Sequence, residues 1–145
     1  MVRLTPDPID IPSLLTDVIT PESGGIDVFV GTTRNHSNGR GVTRLEYEAF
    51  EPMALKEMEK IEHRARERWP LHNVAVIHRL GTVPVGEASV AIAVASAHRK
   101  DAFEACRFLI DELKKTVPIW KREHFADGTV EWSGSSASSI TTTAR

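Results

Sequence analysis

The sequence predicts an α+β fold, a mainly antiparallel sheet with helices packed on one face. Several short stretches alternate apolar and polar residues with a period of two. Two longer stretches switch to helical spacing, and each is closed by a proline. Their order is strand, helix, strand, strand, helix, strand, with an extra strand before and another after, as in domains that lay helices along one side of a sheet.

Ile11 to Ile19 suits a short helix, with Pro12 in its first turn and Pro21 just past its end. Ile26, Val28 and Val30 then alternate with Asp27 and Phe29, a strand that ends at Gly31. A polar loop from Thr32 to Gly41 follows, and its Asn38-Gly39 pair signals a turn. Leu45, Tyr47 and Ala49 alternate with Arg44, Glu46 and Glu48, so this strand buries one face and wets the other.

Between Pro52 and Trp69, Ala54, Met58, Ile61 and Ala65 share one side of a helix that Pro70 stops. Val74 to Leu80 and Ala88 to Ala97 read as two strands joined across Gly81 to Gly86. Both faces of the second are apolar, which places it centrally in the sheet. Lys100 to Thr116 is a second long helix, with Ala102, Phe103, Cys106, Leu109, Ile110 and Leu113 on one stripe, and Pro118 ends it. A strand from Ile119 to Phe125, a turn at Asp127-Gly128 and an extended piece through Trp132 complete the pattern.

The chain has 145 residues, enough for one well-filled core, whereas two halves would each be marginal. We read residues 1–132 as a single catalytic domain and 133–145, rich in Ser, Thr and Ala, as a flexible tail. Basic and acidic residues number 18 and 20, a balance that gives no global attraction to nucleic acid. No apolar run reaches the roughly 18 residues of a membrane span, and the first ten residues have no signal-peptide core. These features predict a cytoplasmic protein that binds neither membrane nor nucleic acid.

Four local features could carry chemistry. Arg34 sits in the loop after the first predicted strand, where a guanidinium among flexible amides could hold an anion, although an ordinary solvated arginine fits the same pattern. His98-Arg99 falls at a junction of strand and helix, a favoured anion site and equally a place for a plain capping pair. Lys114 lies on the last turn of its helix, where a cation is stabilised by the helix dipole; partial burial would instead lower its pKa and make it a nucleophile, acid or base. Pro118 parts Lys121 from that helix, yet the chain turns back soon enough to bring the two lysines together. The six histidines show no metal-ligand spacing, and we predict no bound metal and no cofactor. The lone cysteine, Cys106, lies in the apolar stripe and reads as inert packing.

Several blocks now acquire meaning together: Phe29 to Asn35, Leu45 to Phe50 with Pro52-Met53-Ala54, Ile77 to Gly81, Ser96 to Arg99 with Ala102-Phe103-Glu104, and Pro118 to Glu123. In order and spacing they resemble the large, catalytic subunits of molybdopterin synthase, over roughly Gly24 to Trp132. The resemblance implies an α/β hammerhead type of fold and a homodimer within a heterotetramer. Each large subunit would bind one small ubiquitin-like sulfur carrier whose C-terminal Gly-Gly is a thiocarboxylate. Sulfur from the carrier would pass to cyclic pyranopterin monophosphate, forming the dithiolene of molybdopterin in molybdenum cofactor biosynthesis.

Carried onto this chain, the resemblance makes Thr32, Thr33, Arg34, His98, Arg99, Lys114, Lys121, Arg122 and Glu123 substrate-binding residues, with Lys114 and Lys121 catalytic. Arg34, His98 and Arg99 would hold the precursor's phosphate or the carrier's terminal carboxyl group. Lys114 would polarise the thiocarboxyl carbonyl or assist proton transfer, and Lys121 would bind substrate and tune the charge of Lys114. Where the family continues with charged residues past the Trp132 position, Gly134 to Ala144 is uncharged here. Two readings of other classes stand beside this one. A docking module without catalysis would tolerate loss of both lysines, and a persulfide enzyme would depend on Cys106.

Overall fold

The computed structural model describes residues 1–134 and, in backbone, Thr142–Ala144. Four strands form one sheet in the order β1 (Val2–Thr5), β5 (Leu71–Arg79), β7 (Ala88–Ser96) and β2 (Gly25–Thr32). The β1–β5 pairing is parallel and the others are antiparallel. As the doubly apolar pattern of its sequence requires, β7 lies between two partners. Its Val90, Ile92 and Val94 enter one core and its Ala91, Ala93 and Ala95 another.

The first core is covered by α2 (Glu51–Arg68) and α3 (Arg99–Thr116). Met58 and Ile61 of α2 and Cys106 and Leu109 of α3 meet Val74 and Val76 of β5 there. The two long helices therefore share one face of this sheet. The short α1 (Ile11–Val18) takes the opposite face, where Leu14 and Val18 fill the space left by the small alanines of β7. Its start is fixed by Asp10, whose carboxylate accepts from the Ser13 backbone N–H at 3.2 Å.

A second, antiparallel sheet runs in the order β10 (Thr142–Ala144), β9 (Val130–Gly134), β8 (Ile119–Phe125), β4 (Arg40–Ala49) and β3 (His36–Ser37), with β6 (Gly81–Pro84) also paired to β4. The segment Gly81 to Gly86, expected as a plain connection, thus contributes a strand, because Thr82 and Val83 find partners in Glu46 and Leu45. β1 and β3 were also absent from the sequence pattern. Of the predicted tail, Thr142–Ala144 pairs with β9, and residues 135–141 and 145 lie outside the described residues. Among the described residues, no helix is long and apolar enough to cross a membrane.

Candidate active site

The end of β2, the loop after it, β4, β7, α3 and β8 converge on a cleft of about 210 Å³. Each element delivers its residue for a local reason. On β4 and β8, alternate side chains face the cleft, and the register pairs Tyr47 with Lys121 and Leu45 with Glu123. All four line the cleft. The intervening residues point to the far face, where Arg122 donates to Glu46 at 2.9 Å and its guanidinium lies 4.7 Å over the Trp132 ring.

Lys114 comes from the last turn of α3. The Val117 N–H closes that helix on the Leu113 carbonyl at 3.2 Å, and β8 starts directly after Pro118. The chain therefore folds back within a few residues, and Lys114 and Lys121 enter one cleft. Arg34 reaches it from the loop after β2, beside Thr32. At the floor, Gly31 lets β2 approach β7, since a Cβ there would stand 2.7 Å from Cγ1 of Val90.

The charge of the cleft is lopsided. Arg34, Lys114 and Lys121 face a single lining carboxylate, Glu123. Such a wall attracts an anion and disfavours a cation. Lys114 reaches solvent along its side chain, yet its ammonium is crowded. Desolvation, and then the charge of Lys121, hold its pKa below the ordinary lysine value of 10.5. A lysine of this kind gives up its proton more readily than an exposed one.

Other predicted residues lie elsewhere. Thr33 is buried, its N–H bonded to the Glu87 carbonyl at 3.1 Å and its carbonyl to the Gly86 N–H at 2.9 Å, so it anchors the loop of Arg34 without lining the cleft. His98 and Arg99 are exposed at the start of α3. They stand at the opposite end of β7 from Val90, roughly 25 Å away at a strand's rise per residue. Within one copy of the chain they do not meet Lys114.

Three residues of consequence escaped the sequence reading. Tyr47 and Ser89 line the cleft, and His78 lies buried behind it with its ring edge against Tyr47, centroids 4.8 Å apart. A clue was available for the first, because Tyr47 is the chain's only tyrosine. Cys106 is buried in the main core, and its thiol pKa is pushed up to about 12, by burial first and then by Asp27. A thiol so hard to ionise is a poor nucleophile. Among the described residues, no group of three or more His, Cys, Asp or Glu side chains is placed to hold a metal ion.

Comparison with known proteins agrees with this architecture. The family model described as MoaE protein matches residues 4–116. The chain is 53% identical over 129 residues to "Molybdopterin synthase catalytic subunit 1" of Aedes aegypti, covering 88% of this chain and 83% of that protein. To the Homo sapiens "Molybdopterin synthase catalytic subunit" it is 46% identical over 134 residues, covering 92% of this chain and 71% of that one. Among solved structures, the molybdopterin synthase of Staphylococcus aureus superposes with a TM-score of 0.85 at 37% identity, over 90% of this chain and 95% of that one. A complex of subunits 1 and 2 of the molybdopterin-converting factor from Helicobacter pylori matches with a TM-score of 0.73 at 25% identity, over 87% of this chain and 86% of that one.

Proposed function

The chain belongs to the MoaE protein family, and from that premise we propose that it is the catalytic subunit of a molybdopterin synthase, working with a small partner subunit. The observation that carries the reading is the convergence of Arg34, Lys114 and Lys121 on one cleft. The substrates implied by the family resemblance are anionic, a cyclic phosphate and a thiocarboxylate tail, and this wall has the charge to receive both.

In the finer reading the chain is a sulfurtransferase. The carrier's C-terminal thiocarboxylate enters the cleft, and its sulfur attacks a side-chain carbon of cyclic pyranopterin monophosphate and displaces an oxygen substituent there. Water then cleaves the acyl C–S bond, releasing the carrier as a carboxylate and leaving the sulfur on the pterin. Arg34 and Lys121 neutralise the incoming anions. Lys114, whose pKa is depressed, either donates a hydrogen bond to the thiocarboxyl carbonyl or moves a proton as the new C–S bond forms. The sulfur arrives on the partner, which suits a chain whose sole thiol is buried and resists ionisation. Arg122 and Thr33 serve by holding the strand and the loop that carry Lys121 and Arg34.

His98 and Arg99 are best read as belonging to the cleft of a second copy. The family's homodimer supplies that copy, and the separation along β7 prevents the pair from acting in its own cleft. We assign the catalytic domain to residues 1–132 and its setting to the cytoplasm, in keeping with a single unpaired cysteine.

The test is single-turnover conversion of cyclic pyranopterin monophosphate by this protein mixed with thiocarboxylated carrier, comparing wild type with Lys114→Ala. Removal of a transition-state hydrogen bond or proton shuttle predicts a loss of about 10²-fold or more, with carrier binding retained. Absence of product from well-folded wild type would leave a docking module without catalysis as the better description.

A further inference from the structure

Among the described residues nothing bonds the Arg34 guanidinium, so the backbone on either side of it sets where its charge stands. The pairing of β2 with β7 ends at Thr32 and Ala88. Beyond that point two backbone anchors flank Arg34. On one side the Asn35 carbonyl accepts from the Val42 N–H at 2.8 Å, which ties the loop to β4. On the other, buried Thr33 is gripped by both of its backbone groups. Its N–H donates to the Glu87 carbonyl at 3.1 Å, and its carbonyl accepts from the Gly86 N–H at 2.9 Å, which ties the loop to the turn between β6 and β7.

The turn is closed by the Glu87 N–H on the Pro84 carbonyl at 3.1 Å, and Gly86 takes a φ of +84° in the left-handed region that favours glycine. One charged contact holds it against the rest of the fold. Arg79, the last residue of β5, donates from Nη1 to Oε1 of Glu87 at 2.8 Å. Glu87 is thus held twice, by its carboxylate to Arg79 and by its carbonyl to Thr33. Arg79 is only 8% exposed, whereas the Glu87 side chain is nearly half exposed. Burying a guanidinium costs stability that a single, half-solvated carboxylate does not fully offset. An apolar side chain would fill the same space without that cost, so stability alone does not account for an arginine here.

We propose that Arg79 is a positioning residue for the anion site: its ion pair with Glu87 fixes the turn that grips Thr33, and through Thr33 the place of Arg34 in the cleft. The proposal rests on the reading of Arg34 as a substrate-binding residue. The contacts run from guanidinium to carboxylate, from turn backbone to loop backbone, and each is made at hydrogen-bond distance. Arg79 itself does not line the cleft. Its influence on a ligand therefore passes through Arg34, and it vanishes when Arg34 is absent. Neither a general loss of stability nor the loss of a distant positive charge has that signature.

Arg79→Met keeps much of the side-chain volume and leaves behind only a carboxylate that water can reach, so its thermal midpoint should stay within about 4 °C of wild type. Equilibrium binding of cyclic pyranopterin monophosphate to the full chain should weaken about tenfold in this variant. In an Arg34→Ala background the same substitution should change the affinity by less than about twofold. Arg79→Lys keeps a cation opposite Glu87 and, because a single guanidinium nitrogen makes the contact, should recover most of the affinity. An Arg79→Met protein that binds as tightly as wild type overturns this inference alone. So does the same loss with and without Arg34, which is the mark of long-range charge, and so does an Arg79→Lys protein that binds no better than Arg79→Met. Collapse of the Arg79→Met midpoint also overturns it, because the arginine is then a structural residue. An Arg34→Ala protein as tight as wild type, or a wild type that binds no precursor, overturns the reading of the cleft and this inference with it.

Discussion

A buried imidazole beside an ammonium group resists protonation, and His78 is in that position. In the unfolded chain it binds a proton below pH 6.5, whereas in the folded chain it does so only below about 4. Between these values the unfolded state holds more protons than the folded state, so stability falls as the pH falls through that window. The contribution is fully present above 6.5 and is on the order of 3 kcal/mol. The denaturant midpoint should therefore drop between pH 6.5 and 4 more steeply for wild type than for His78→Phe. Parallel curves for the two proteins would show that the imidazole is not the source.

At the scale of elements, the junction of β2 and α3 is close-fitting. A Cβ on Gly25 would lie 2.9 Å from the Arg99 Cα, which is backbone and cannot swing aside. Gly25→Ala should push the start of α3 outward and lower stability by about 1–3 kcal/mol, the usual cost of overpacking, read as a drop in thermal midpoint. An unchanged midpoint would mean that the junction is looser than its geometry indicates. The elements that meet here, β2 and α3, were legible in sequence because each repeats its pattern over many residues. So were α2 and β7. β1 and β6 were not, for physical reasons. Each has four residues, β6 contains a glycine and a proline, and each is a strand only because β5 or β4 lies alongside to pair with it. The site divides in the same way. Charged members such as Arg34, Lys114 and Lys121 drew notice because charge at the end of an apolar element needs a reason. Tyr47 and Ser89 resemble ordinary strand residues until the facing element is known.

For the whole molecule, the separation of His98 and Arg99 from Lys114 has a direct test. If two copies share each cleft, Lys114→Ala and the double variant His98→Ala, Arg99→Ala should each be nearly inactive and should rescue one another when co-assembled. Random pairing makes half of the dimers mixed, each with one intact cleft of two, so about a quarter of wild-type activity should return. A mixture no more active than the sum of its parts would place both residues outside the reaction. The sequence blocks identified these residues as a set, but adjacency along a chain carries no information about which copy of the chain supplies each one.

The pairing of Tyr47 with Lys121 and Leu45 with Glu123 makes the cleft a matter of alignment. Successive side chains of a strand point to opposite faces, so losing one residue from the middle of β4 would act on the protein as a frameshift acts on a gene. Every position beyond the loss would be read on the wrong side, with glutamates delivered where Leu45 and Tyr47 belong. Any reworking of this cleft is therefore safer by exchanging letters in place than by changing the length of the line on which they are written.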